Sequence, residues 1–236
     1  MLYLIGLGLN ENSLTAEALE VIEGAEEIYL ENYTVDFPYD KKILEEKTKK
    51  KIKELEREKV ENEEIVSEAK NKDVCLLVYG DSLSATTHIQ LISACKSQGV
   101  GFKVIHNASI LTAVSETGLQ LYKFGKTSSM PAWKENWEPC SFLDYVKENK
   151  SIGAHSLLLI DISLDVEKAI KQLKTALEKY DLDMGKIIVC RGLGTEKSEI
   201  IYDSLKNISK KNIEQPYCFV IPGKSNDLEK DFFGEE

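Results

Sequence analysis

Val74-Cys75-Leu76-Leu77-Val78-Tyr79-Gly80-Asp81-Ser82-Leu83-Ser84-Ala85-Thr86-Thr87-His88 is the stretch whose reading decides this chain. Its apolar first half predicts a buried strand. Where the strand stops, Gly80-Asp81 and a run of small hydroxyl residues bring polar groups to the carboxyl edge of a sheet, the place where α/β proteins bind ligands. The stretch therefore marks a small-molecule cleft. A strand followed by a capped helix also accounts for Asp81 or Ser84, as an N-cap, but gives no reason for so many polar groups together.

Outward from this point the same alternation recurs. Apolar strand-like runs stand at 2–9, 27–30, 102–105, 156–162, 186–190 and 217–221, and helical spacing of apolar residues at 15–23, 88–96 and 165–179. Alternating strands and helices predict an α/β fold. After residue 108 a small-residue helix leads through Leu121-Tyr122-Lys123-Phe124-Gly125 into an irregular, Trp-rich stretch at 128–139. This change of pattern places a boundary between two α/β domains, residues 1–110 and 111–236. A chain of 236 residues, 42% of them hydrophobic, is long enough to bury one large core or two modest ones.

Two further strand ends carry small or polar residues. Ile5-Gly6-Leu7-Gly8-Leu9-Asn10 lies between a strand and a helix, but the dinucleotide fingerprint needs a third glycine where Glu11 stands, and a carboxylate there opposes a pyrophosphate. What remains is a Gly-x-Gly turn, read either as a close backbone approach to a ligand or as a tight turn without one. His106-Asn107-Ala108-Ser109-Ile110 offers Ser109 and the amides of a helix start. Three such loops in one half of the chain describe a pocket for a polar cofactor, although each alone has a structural reading.

The formal charge of −10 argues against general affinity for nucleic acid and favours a protein or metabolite partner. The basic run at 47–53 is interleaved with glutamates and reads as a solvated face. The cysteines, Cys75, Cys95, Cys140, Cys190 and Cys218, stand singly and imply neither a disulfide framework nor a zinc site. No apolar run is long enough to span a membrane, and the first residues read straight into a strand, so the expected location is the cytoplasm. Nothing requires a metal.

Taken in order, these segments resemble diphthine synthase of the tetrapyrrole (precorrin-like) methylase superfamily. The resemblance runs from Met1 to about Gly223 and rests on Leu2-Tyr3-Leu4-Ile5-Gly6-Leu7-Gly8-Leu9, Gly80-Asp81 with Ala85-Thr86-Thr87-His88, His106-Asn107-Ala108-Ser109-Ile110, and Gly118-Leu119-Gln120-Leu121-Tyr122-Lys123-Phe124-Gly125. Asn136-Trp137-Glu138-Pro139, His155-Ser156-Leu157-Leu158-Leu159-Ile160-Asp161-Ile162 and Pro222-Gly223 extend it. The third and fourth segments look more like the eukaryotic branch of the family than the archaeal one.

The resemblance implies two α/β domains of the tetrapyrrole methylase type with an S-adenosylmethionine cleft between them, and a homodimer. It implies methylation of translation elongation factor 2 at the modified histidine that becomes diphthamide. Eukaryotic members add four methyl groups, ending in a methyl ester, and archaeal members add three. The four-methyl outcome is the expectation here. Carried over by position, the cofactor contacts are Leu9, Asp81, Ser84, Ser109, Ile110, Ile160, Gly192 and Tyr217, several of them through backbone. The chain departs from the family at Tyr217, where His is usual, at Ser82, where Pro is usual, and in the spacing of Gly192-Leu193-Gly194-Thr195. Another methyltransferase of the superfamily, or a non-enzymatic protein that kept the fold, are the alternatives. The first is expected to lack the His-Asn-Ala-Ser-Ile and Tyr-Lys-Phe-Gly segments, and the second draws only on the departures at Ser82 and Tyr217.

Methyl transfer from a sulfonium to an amine is an in-line displacement, and the amine has to lose a proton first. His88 is the sequence's first candidate for that proton, with a structural hydrogen-bonding role as the competing reading. His106 and His155 lie beside strands and read as structural. Carboxylate methylation needs no base at neutral pH, because the nucleophile is already ionised. The sequence names no catalytic residue. Trp133 and Trp137, with Pro131 and Pro139, read as cleft lining, interface or core.

Overall fold

A computed structural model describes residues 1–234, with Glu61 described by its backbone alone. Two compact units divide the chain after Thr112. The first runs β1 (Leu2–Gly6), α1 (Ala16–Gly24), β2 (Glu27–Glu31), α2 (Lys41–Thr48), β3 (Lys53–Leu55), α3 (Arg57–Glu61), α4 (Glu64–Glu68), β4 (Val74–Val78), α5 (Ile89–Gln98) and β5 (Phe102–Ile105), with the one-turn α6 (Ile110–Ala113) at its close. Its sheet has the order β3-β2-β4-β1-β5, and every pairing is parallel.

Alternation along the two central strands sorts the core. Leu2 and Leu4 of β1 and Val74, Leu76 and Val78 of β4 face α5, where Leu91, Ile92, Ala94 and Cys95 meet them. Ile5, Cys75 and Leu77 face the other way, onto Ala18 and Ile22 of α1 and Leu44 of α2. Each fully buried aliphatic side chain contributes about 1.5–3 kcal/mol. Because both faces are covered, β4 is apolar without interruption, all five of its residues being buried. Helix α1 begins where the Thr15 hydroxyl accepts the Ala18 N–H at 3.1 Å.

The basic run at 47–53 is paired locally. Lys47 donates to the Asn12 side chain at 2.6 Å, Lys50 to the Ala25 carbonyl at 3.2 Å, and Lys53 to Glu27 at 2.5 Å. Lys53 also opens β3, a three-residue edge strand beside β2. Short, charged edge strands carry almost no hydrophobic pattern.

The second unit holds two 3₁₀ turns (Val114–Thr117 and Leu121–Lys123), then β6 (Ser128–Met130), α7 (Phe142–Ser151), β7 (Ser156–Ile160), α8 (Val166–Tyr180), β8 (Lys186–Arg191), β9 (Glu199–Ser204), α9 (Leu205–Ile208), β10 (Tyr217–Ile221) and α10 (Asp227–Phe233). The sheet order is β6-β7-β10-β8-β9, parallel between β6 and β7 and antiparallel elsewhere. Helix α8 starts on an Asp165 cap and buries Val166, Ala169, Ile170, Leu173, Ala176 and Leu177, a stripe at helical spacing, in a core that includes Phe219. Trp133 packs against that core and donates its indole N–H to the Pro139 carbonyl at 3.0 Å, whereas Trp137 is half-exposed. All five cysteines carry free thiols. Among the described residues no helix is long and apolar enough to cross a membrane.

Candidate functional site

In the first unit β1 and β4 are neighbours, yet the helices that follow them pack on opposite faces of the sheet, α1 on one and α5 on the other. Adjacent strands whose connections diverge in this way leave a crevice outside their carboxyl ends, where open α/β sheets bind ligands. The loops after β1, β4 and β5 meet there. Gly8 and Gly80 form a two-hydrogen-bond bridge across the crevice, at 3.0 and 2.9 Å. Their φ angles of +71° and +74° lie in the region that costs glycine nothing, and a Cβ at Gly8 would fall 2.3 Å from the Ser13 Cβ, so the close approach that glycine permits there is to the chain itself. The Asn107 amide holds the third loop in place by donating to the Gly6 and Ser13 carbonyls at 3.1 and 2.9 Å. The Tyr79 hydroxyl donates to the Leu9 carbonyl at 2.8 Å.

Asp81 is the centre of this edge. Its Oδ1 accepts the Leu83 N–H at 3.0 Å and the Ser84 hydroxyl at 3.4 Å, and its Oδ2 accepts the Asn107 N–H at 3.1 Å and faces Nδ1 of His106 at 2.8 Å. Burial pushes the carboxyl up, but the Leu83, His106 and Asn107 hydrogen bonds outweigh it and hold it below the ordinary carboxylate value. Asp81 is thus a buried, ionised group that ties the β4 loop to the β5 loop. Neither Asp81 nor Ser84 caps α5, which begins only at Ile89. Ser109 is buried, its hydroxyl accepting the Leu111 N–H at 3.3 Å, and Ile110 opens α6 half-exposed. The helix expected from the small residues here is a single α turn continued as a 3₁₀ turn.

Leu9, Asp81, Ser84, Ser109 and Ile110 therefore share one sheet edge. The second-unit residues share another. Ile160 ends β7, Gly192 follows β8, and Tyr217 starts β10 opposite Arg191, with the Gly192 N–H donating to the Pro216 carbonyl at 2.9 Å. The Tyr217 ring lies in the core with its hydroxyl donating to the Leu164 carbonyl at 3.0 Å, and burial pushes the phenol up. Its side chain serves packing, which leaves backbone groups for any other contact.

The histidines come out in a different order from the sequence reading. His88 is 1% exposed, with Nδ1 donating to the Ser82 carbonyl at 3.0 Å and Nε2 at 3.8 Å from Glu31. His155 is fully buried, its Nδ1 accepting the Gly223 N–H at 2.8 Å and its Nε2 facing Glu229 at 3.1 Å. His106 alone stands open, 68% exposed beside Asp81. The signal for it was the pairing of a carboxylate and an imidazole on loops that flank β1, a relation visible only once strand order is known. Among the described residues no cluster of metal-ligating side chains occurs.

Ser82, the departure from the usual Pro, is buried with no partner for its hydroxyl. An unmade hydrogen bond at a buried hydroxyl costs about 1–3 kcal/mol. At about 2–4 °C per kcal/mol for a chain of this size, Ser82→Ala is accordingly expected to raise the thermal midpoint by about 2–12 °C. A lowered midpoint in differential scanning calorimetry would show that the hydroxyl is held by something the fold does not reveal.

Residues 1–209 match the family model described as Tetrapyrrole (Corrin/Porphyrin) Methylases. The chain is 36% identical to a diphthine methyl ester synthase of Emericella nidulans over 98% of this chain and 92% of the relative. It is 43% identical to the Homo sapiens protein of the same name over 77% of this chain and 64% of the relative. A solved diphthine synthase superposes with a TM-score of 0.90 at 30% identity, covering 99% of this chain and 95% of that one.

Proposed function

Since the chain belongs to the tetrapyrrole methylase family and, within it, to the diphthine methyl ester synthases, we propose that it methylates the 3-amino-3-carboxypropyl-histidine of translation elongation factor 2 from S-adenosylmethionine, four times, ending in the methyl ester. The observation that carries this reading is the likeness over nearly the whole of both chains to a curated relative of that activity. Assembly as a homodimer and a cytoplasmic location, where elongation factor 2 works, belong to the same reading.

S-adenosylmethionine supplies a methyl group on a sulfonium, a cationic electrophile. The residues present suit such a ligand. Gly80 brings no side chain to the edge, Ile110 adds half-exposed apolar surface and Ser84 a hydroxyl, with Leu9 and Ser109 buried beside them. Asp81, held in its ionised form, sets a negative potential at the edge where a cation is to be bound. In the second unit Ile160, Gly192 and Tyr217 are assigned contacts through backbone groups. Orienting the acceptor against the methyl carbon in a site that sheds water supplies much of the rate of an in-line displacement.

Intact-mass analysis of elongation factor 2 carrying the unmethylated side chain, after incubation with this protein and S-adenosylmethionine, tests the reading. A gain of four methyl groups is expected. A gain of three returns the protein to the archaeal-type reaction, and no gain overturns the assignment of substrate.

A further inference from the structure

We propose that His106 is the general base that removes the proton from the acceptor amine before each nitrogen methylation, with Asp81 orienting its ring. The inference rests on the methyltransferase reading and deepens it by naming the group that handles the proton.

The argument begins with elimination. The chain has three histidines, and two of them are closed off. His88 and His155 are buried and committed to Ser82, Gly223 and Glu229, so a side chain belonging to a large protein substrate cannot reach either. His106 stands directly after β5, on the loop that also carries Ser109 and Ile110, and two-thirds of its side chain is open. The loops are in register with one another: a Cβ built on Gly80 lies 3.6 Å from the Ser109 Cα, and the next residue, Asp81, faces His106.

The tautomer follows from the partner. An ionised carboxylate only accepts hydrogen bonds, and Asp81 Oδ2 lies 2.8 Å from Nδ1, so Nδ1 carries the hydrogen. In the neutral ring Nε2, on the far side, then carries the lone pair. A buried carboxylate that fixes an imidazole in this way presets a base and stabilises the imidazolium that forms. Asp81 is itself fixed, by the Leu83 and Asn107 N–H groups, so the ring direction is inherited from backbone. Among the described residues Asp81 is the carboxylate paired with His106.

In each of the first three transfers Nε2 takes one proton from the ammonium. The freed lone pair forms the N–C bond as the C–S bond breaks, the bonding pair goes to sulfur to leave S-adenosylhomocysteine, and the imidazolium releases its proton to water. After three cycles the nitrogen is a trimethylammonium with no proton left. The fourth methyl goes to a carboxylate, which is ionised at neutral pH and has no use for a base. His106 therefore acts in three steps of four, a selectivity that a purely structural residue does not have.

His106→Ala, supplied with unmethylated and with trimethylated elongation factor 2 in parallel, tests this. The nitrogen transfers are expected to fall about 10²-fold, while esterification of the trimethylated substrate stays within about twofold of wild type. Raising the pH towards the amine's own ionisation, or adding imidazole, is expected to restore part of the lost rate. In the free wild-type protein at a pH where the ring is neutral, ¹⁵N NMR is expected to show a protonated Nδ1 and a bare Nε2. Equal loss in all four steps, no loss in any, or the opposite tautomer overturns the proposal. Wild type run alongside separates this from a wrong substrate, since a wild-type protein that transfers no methyl group indicts the substrate and leaves the tautomer measurement to judge His106.

Discussion

Replacing Gly6 with alanine is expected to collapse cofactor binding and turnover while leaving the second unit folded. A Cβ at this position falls 2.7 Å from the Gly80 carbonyl oxygen, 3.0 Å from the Asn107 Cβ and 3.1 Å from the Asp81 Cα. The nearest of these atoms is backbone, so the strain cannot be relieved by swinging a side chain aside. Moving Gly80 away breaks its bridge to Gly8, and moving Asn107 away loosens the loop that Asp81 ties down. Overpacking of this kind costs about 1–3 kcal/mol, which lowers stability without abolishing the fold. The functional loss is expected to be larger, because a displacement of about 1 Å in a positioning loop can cost about 10²-fold in rate. Calorimetric titration with S-adenosylmethionine, alongside urea unfolding, measures both. A variant that binds and turns over like wild type would mean that the three loops do not share one site.

That site was legible in the sequence to the extent that it is built from strand ends. Val74 to Val78 is continuous apolar sequence because both faces are covered, and the polar run after it was the mark of a carboxyl edge. What could not be read was which strand ends are neighbours. The order β3-β2-β4-β1-β5 puts β4 and β5 on either side of β1, and only that order brings Asp81 to His106 across 25 residues of chain. His88, which sits among the hydroxyl residues, takes the structural hydrogen-bonding role that competed with a base role in the sequence. Strand β3 was hidden by its charges, whereas α5 begins within one residue of where its apolar spacing places it. Helix α10 did leave a signal, Asn226 followed three residues later by Glu229, the pattern of a capping box.

Glu229 is where that signal leads to the second large effect, on stability. The residue is fully buried, and both carboxylate oxygens are engaged. Oε1 accepts the Gln120 N–H at 3.0 Å and faces His155 Nε2 at 3.1 Å, while Oε2 accepts the Asn226 N–H at 2.9 Å and pairs with Lys123. One side chain thus closes the cap of α10 and ties that helix to the turn at 120–123 and to the strand that begins beside His155. Burial pushes the carboxyl up, but Lys123, the two backbone N–H groups and His155 override it and bring it down to about 2. Burial also pushes His155 down, so its ring is neutral and donates through Nε2 while Nδ1 accepts from Gly223. A carboxyl lowered in the folded state stabilises fully above its unfolded value of about 4.3, and that stability drains away as the pH falls from there towards about 2. Glu229→Ala removes the anion, strands two N–H groups and His155 Nε2 and leaves Lys123 only the Lys224 carbonyl, and breaking a buried pair in this way costs about 3–5 kcal/mol. The variant is expected to lose that much in urea unfolding at pH 7, and α10 is expected to become the first segment cut in limited proteolysis. Glu229→Gln, which keeps the shape and loses the charge, is expected to flatten the dependence of stability on pH between 4.5 and 2. An unchanged slope there would place the acid-sensitive carboxylate elsewhere, and an α10 that resists proteolysis in Glu229→Ala would mean that the packing of Phe232 over Gly118 is enough to hold the helix.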